Sequence, residues 1–187
     1  MLLLSFFISC SNNSNNFIQK ETRNFGENVE IEHMGDMHIE DFKIIVNSIC
    51  LNHNQFKTNN IWEEKIYTPI LDTELKYQYR TILNNASTME PDFDGKYKIV
   101  LYGSGTDSTG YFIFDLNTGI VYESNSYSYF GMDYNVNSSL LIINPPEDVI
   151  KYWEYEYNII PGWVQVEYLT IMNGELKVLL IINPINN

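Results

Sequence analysis

Two adjacent residues, Asn173 and Gly174, constrain the fold of this chain most tightly. A two-residue connection with positive φ at both central positions twists in the same sense as the strands it joins, and Asn-Gly fills both positions at low steric cost. Flanked by apolar runs at 163–172 and 175–182, the pair predicts an antiparallel hairpin. The same texture extends upstream to Gly95, where 96–102, 110–116, 120–123 and 140–144 read as strands, and Asp115-Leu116-Asn117-Thr118-Gly119 reads as a tight connection. These connections are too short for crossover helices, so neighbouring strands pair antiparallel. Before them lies one helical pattern, about 72–89, with Leu75, Tyr79, Ile82, Leu83 and Ala86 on one face. Asp72 or Thr73 caps it, Glu74 sits near the positive end of its dipole, Lys76 and Arg80 occupy the outer face, and Pro91 stops it. The predicted class is therefore α+β, an antiparallel β-meander sheet with one main helix packed on a face. Nearer the N-terminus, 29–32 and 42–46 read as short strands, and the second also fits a short helix.

The opening residues have a different character. Met1 to Ser9 form an apolar run that ends at Cys10, followed by the wholly polar Ser11-Asn12-Asn13-Ser14-Asn15-Asn16. Spanning a bilayer takes about 20 apolar residues, so this run is too short to cross one and matches instead the core and cleavage region of a secretory signal. Phe7-Ile8-Ser9-Cys10 resembles a relaxed lipobox, the cleavage motif of bacterial lipoproteins, which implies a diacylglyceryl group on the Cys10 sulfur. No Lys or Arg precedes the apolar run, a departure from the usual signal. The alternative is an apolar N-terminus packed against the domain. The expected organisation is a signal segment at 1–9, a lipidated cysteine and flexible tether at 10–24, and a single β-rich domain at 25–187. The expected location is then extracytoplasmic, on a bacterial membrane through the lipid. With Cys10 so used, Cys50 has no cysteine partner within the chain and reads as a buried, inert thiol.

Charge narrows the partners. Asp and Glu number 24 against 11 Lys and Arg, for a net charge of -13. Nucleic acid is excluded, because binding phosphates needs a basic surface that releases counterions. Anionic lipid headgroups are repelled as well, so membrane contact must come from a covalent anchor. Basic partners and cations remain, beside the plain role of negative charge in solubility.

From Tyr67 to Pro145 the order of phrases resembles a family of uncharacterised bacterial exported proteins. The phrases are Asp92-Phe93-Asp94-Gly95-Lys96-Tyr97, Gly103-Ser104-Gly105-Thr106-Asp107-Ser108, Asp115-Leu116-Asn117-Thr118-Gly119-Ile120-Val121-Tyr122 and Ser139-Leu140-Leu141-Ile142-Ile143-Asn144, preceded by Arg80-Thr81. The resemblance implies export and a small β-rich domain and carries no activity. Ser104 and Ser108 stand where the family pattern has cysteines, so a disulfide or thiol function is not available there.

Candidate chemistry is sparse. The loop from Gly103 to Gly110 has the glycines and hydroxyls of a phosphate cradle, but it lacks the lysine and leads into a strand rather than a helix, so a hairpin loop is the better reading. His33, Asp36, His38 and His53 lack the helical spacing of a zinc motif, and Asp92 and Asp94 lack the remaining oxygens of a calcium loop. No metal or other cofactor is expected. The most unusual stretch is Tyr152-Trp153-Glu154-Tyr155-Glu156-Tyr157, with Trp163 downstream and Tyr127, Tyr129, Phe130 and Tyr134 upstream. Rings mixed with carboxylates suit a surface that binds protein or glycan. The alternation also fits a plain strand with Tyr152, Glu154 and Glu156 outward and Trp153, Tyr155 and Tyr157 inward. The expected function is a non-enzymatic envelope module that binds protein or glycan through Tyr127, Tyr129, Phe130, Tyr152, Trp153, Tyr155 and Trp163. The alternative is an extracytoplasmic hydrolase that draws its acid and base from carboxylates such as Asp92, Asp107 or Asp133.

Overall fold

The computed structural model describes residues 36–49, 51–105, 107–154 and 158–183. The signal segment, Cys10, the tether, the 29–32 strand, His33, Cys50 and Tyr155 lie outside the described residues. In chain order, β1 (Met37–His38) leads into α1 (Ile39–Asn47), and α2 (Glu74–Gln78) and α3 (Arg80–Ala86) precede β2 (Tyr97–Gly103), β3 (Thr109–Asp115) and β4 (Val121–Glu123). Then come β5 (Met132–Asp133), β6 (Leu140–Ile143), α4 (Pro146–Glu154), β7 (Ile159–Ile160), β8 (Val166–Met172) and β9 (Glu175–Ile182). The fold is α+β, and every strand pair among these elements is antiparallel. The β8–β9 hairpin turns on Asn173 and Gly174, at φ 54° and 77°, the double positive φ that the sequence pair predicts.

The strands do not form one meander. They divide into a three-stranded sheet, β2-β3-β4, a four-stranded sheet, β5-β6-β8-β9, and a small β1-β7 pair. Side-chain alternation shows the cause. Tyr97, Ile99, Tyr111 and Ile113 face the second sheet and meet Leu141, Ile143, Leu169 and Val178 there. On its other face the first sheet presents Val100, Tyr102, Phe112 and Phe114 to Leu83 and Ala86 of α3. The second sheet's outer face sets Leu140, Ile142, Val166 and Tyr168 against Ile39 and Phe42 of α1 and Val149 of α4. The elements therefore stack in four layers: α2 and α3, the first sheet, the second sheet, then α1 and α4. A sheet apolar on both faces needs two covers, and this arrangement supplies them.

A register shift at Tyr168/Leu169 accommodates the change of neighbours along β9. Val178 pairs with Leu169 and Leu180 with Tyr168, leaving Leu179 as the extra residue of a bulge. Leu179 and Leu180 consequently both pack toward the α1 and α4 cluster, whereas Leu176 and Val178 pack between the sheets.

Three expectations are corrected, and a fourth, left open between strand and helix, is resolved. The 72–89 helix is two short helices separated at Tyr79, whose φ of -96° and ψ of 17° leave the helical region. The Tyr79 ring lies 4.3 Å from that of Tyr102 and 5.9 Å from that of Phe112, and its hydroxyl donates to the Gly103 carbonyl at 3.2 Å. The break thus coincides with the ring that pins this layer to the sheet. Lys76 is buried rather than outward, with its ammonium 2.5 Å from Asp72. Residues 42–46 are helical, as part of α1. The aromatic stretch is not an alternating strand, because its described part, Tyr152 to Glu154, closes α4. Pro146 in the first turn, followed by Glu147 and Asp148 near the positive end of the dipole, starts that helix, and Val149 and Trp153 then fall on one face.

Candidate binding face

α4 carries Tyr152 and Trp153 in its last turn, the segment before β5 carries Tyr129 and Phe130, and the turn before β8 carries Trp163. These rings meet. Centroids lie 5.2 Å apart for Phe130 and Tyr152, 5.1 Å for Tyr152 and Trp153, 6.4 Å for Trp153 and Trp163, and 6.4 Å for Trp163 and Phe130. The four rings form a closed circuit, and Tyr129 joins it 5.2 Å from Trp163. Phe130 and Trp153 pack against the α1 and α4 core, while Tyr152, Trp163 and Tyr129 stay exposed at 56%, 51% and 44%. Half-buried rings make the floor, and exposed rings make the rim.

One polar side chain holds the segments in place. Asn144, at the end of β6, is buried and has φ 54°, a conformation that asparagine tolerates better than most residues. Its Oδ1 accepts the backbone N–H groups of Tyr129 at 2.7 Å and Phe130 at 3.0 Å. Its Nδ2 donates to the carbonyl of Gln165 at 2.8 Å and to that of Tyr127 at 3.5 Å. The same residue's backbone N–H donates to the Gly131 carbonyl at 3.0 Å. Asn144 thus joins the chain on both sides of the ring circuit. The sequence reading named Asn144 only as the end of a strand. Its readable signal is an asparagine placed between an apolar strand and Pro145-Pro146, where a positive φ can turn the chain.

Of the expected face, Tyr129, Phe130, Tyr152, Trp153 and Trp163 are brought together. Tyr127 is exposed but makes no ring contact with the other described members, and stands near Tyr102, whose hydroxyl is pushed up by burial and then by neighbours including Tyr127. Acidic groups border the circuit. Asp148 is exposed one helical turn before Tyr152, and its Oδ2 lies 3.8 Å from where a Cβ on Gly131 would stand, beside Phe130. Behind α4, burial and then the charges of Glu147 and Asp133 push the Tyr168 hydroxyl up to about 12, so it stays neutral at physiological pH. Glu154 is engaged by Lys43 at 2.9 Å, and Lys43 also binds Glu40 at 3.0 Å, which ties α1 to α4.

The carboxylates considered as acid and base are dispersed. Asp92 pairs with Lys98 at 2.9 Å and accepts the Ile99 N–H. Asp107 is exposed in the loop at the opposite end of β2, and Asp133, on β5 of the other sheet, pairs with the His53 ring at 3.1 Å. Asp94 is buried, and desolvation pushes its carboxyl up, against hydrogen bonds from Thr58 and Asn60. Among the described residues no three His, Cys, Asp or Glu side chains converge as metal ligands. In the Gly103 to Gly110 loop, Ser104 and Ser108 are joined by a 2.6 Å hydrogen bond between their hydroxyls, at the two positions where the resembled pattern carries cysteines. No described helix is long and apolar enough to cross a membrane.

No family model matches the chain, and no curated protein or solved structure matches it.

Proposed function

We propose that this chain is a non-enzymatic binding module of the bacterial cell envelope, held to the membrane by lipid on Cys10. It docks a protein partner through Tyr129, Phe130, Tyr152, Trp153 and Trp163, with Tyr127 preceding them on the Tyr129 segment. The observation that carries this reading is the closed circuit of rings drawn from three chain segments, with its rim exposed. Soluble proteins seldom leave contiguous apolar patches uncovered without a use, and tyrosine and tryptophan are enriched where partners dock. Protein is favoured over glycan by ring orientation. A run of sugars stacks on ring faces lying near one plane, whereas Phe130, Tyr152, Trp153 and Trp163 meet at 60°, 73° and 74° around three of their four contacts. The lipobox-like Phe7-Ile8-Ser9-Cys10, the polar tether and the resemblance to exported proteins support the envelope address.

Two measurements test the proposal. Capture from envelope extract by the wild-type chain and by Tyr152→Ala/Trp163→Ala is expected to show one protein lost with the variant. A folded variant that retains everything the wild type retains overturns the docking face. Intact-mass analysis of the native protein is expected to find a chain that begins at Cys10 and carries a diacylglyceryl adduct. An unmodified chain retaining Met1 overturns the address.

A further inference from the structure

With the aromatic face taken as the docking surface, we propose that it receives an arginine of a basic segment on the partner protein, with Asp148 as the counter-ion. This deepens the reading above and rests on it.

Four observations converge. A ring presents a negative π face, and a guanidinium is drawn to it both as a cation and as a flat plate, with tryptophan the strongest host. Neighbouring centroids in the circuit are 5.1 to 6.4 Å apart, so a cation seated on an exposed rim ring also lies near the ring beside it.

The second observation is the carboxylate. Asp148 and Tyr152 stand four residues apart on α4 and so share a face. The position of Asp148 Oδ2 next to Gly131 places it at the border of Phe130. Glu154, on the same helix, is already engaged by Lys43, while Asp148 forms no ion pair among the described residues. A guanidinium lying on the rim therefore finds an acceptor for its in-plane N–H donors, the combination that Arg satisfies and Lys satisfies less well.

Charge is the third. α4 bears Glu147, Asp148 and Glu154 against the single Lys151. The whole chain carries -13, which steers basic partners toward it and turns acidic ones away. Fourth, the chain builds the same contact for itself elsewhere, with the Arg80 guanidinium 4.7 Å from the centre of the Tyr77 ring.

The test uses the full chain and a synthetic nine-residue Gly/Ser peptide carrying three arginines. The same peptide with citrulline at those positions keeps the shape and removes the charge. Calorimetry and tryptophan emission at physiological salt are expected to show the arginine peptide binding about tenfold tighter than the citrulline one. Tyr152→Ala/Trp163→Ala leaves net charge unchanged and is expected to weaken the arginine peptide about tenfold. Trp163→Leu keeps apolar bulk without a π face and should lose several-fold, and Asp148→Asn should do likewise.

Equal affinity for the arginine and citrulline peptides overturns the proposal. So does arginine binding that survives the ring substitutions, which would mark it as general attraction to an acidic chain. Should the double variant fail to fold, the citrulline comparison on the wild type and the Asp148→Asn and Trp163→Leu variants decide the matter. A neutral oligosaccharide that saturates the tryptophan response where the arginine peptide does not would remove the cationic partner and leave a binding face. The face itself falls only if the capture experiment above shows no loss.

Discussion

Two buried polar side chains do different work. Asn144 accepts the Tyr129 and Phe130 amides and donates to the Gln165 carbonyl. Asn144→Ala removes these part-buried bonds at once, and the expected cost is about 3 kcal/mol, read from urea unfolding together with loss of the near-UV aromatic signal. Asn144→Gly relieves the positive φ but restores none of the bonds, so it should remain well short of wild type. Asp94 behaves in the opposite sense. Burial raises its carboxyl above the ordinary 3.8, so the folded state holds the proton more tightly than the unfolded chain. Its contribution to stability is complete below the unfolded value and is lost as pH climbs through the raised, folded one. Asp94→Asn cannot ionise and tolerates the φ of 45° at this position. Its stability relative to wild type should therefore improve from acid toward neutral pH, and an unchanged difference across that range would contradict the assignment. The rings of the proposed docking face stood out in the sequence as a tyrosine-rich stretch. Asn144 did not, because its bonds join residues 14 to 21 positions away and leave no periodic trace.

Elements followed the sequence where local chemistry decided them. The β8–β9 hairpin was legible because Asn-Gly supplies positive φ at both turn positions, and the β3–β4 turn because Asp115 accepts the Asn117 amide and Gly119 takes a φ of 82°. α4 was misread because Tyr152 onward alternates like a strand, while the start signals, Pro146, Glu147 and Asp148, lie one turn earlier and win by setting a helix already under way. The 72–89 helix was placed correctly but its break was not, since the cause lies across the sheet, in the rings of Tyr102 and Phe112 around Tyr79. That ring stack also explains Gly110. It faces Tyr102 across the β2–β3 ladder, and a Cβ there would fall 2.3 Å from the Tyr102 ring. Gly110→Ala must push the ring off Phe112 and Tyr79, an overpacking cost of about 1–3 kcal/mol. Thermal unfolding measures it, and Tyr102→Leu in the same chain should recover part of the loss by vacating the space.

At the scale of the whole molecule, the stacking of layers was the least legible feature. Alternation in β3 or β6 shows that both faces are apolar, yet nothing local says that one face meets a second sheet and the other a helix. The layering separates what holds the fold from what the fold presents. Leu141 is fully buried between the sheets, and Leu141→Ala should cost about 2–5 kcal/mol in urea unfolding. Tyr152 stands more than half exposed at the outer end of α4, and Tyr152→Ala should change stability by less than about 0.5 kcal/mol while reducing partner capture. If the two substitutions destabilised the protein equally, the rings would be scaffold rather than docking face. The grip of Asn144 extends this separation further. Every group it holds in the ring segments belongs to the main chain, so the exposed residues at 127 and 129 can be exchanged while the holder stays as it is. The face is in effect an interchangeable tool bit in a fixed chuck, and a library randomised at those positions should yield folded chains with new tastes in partner.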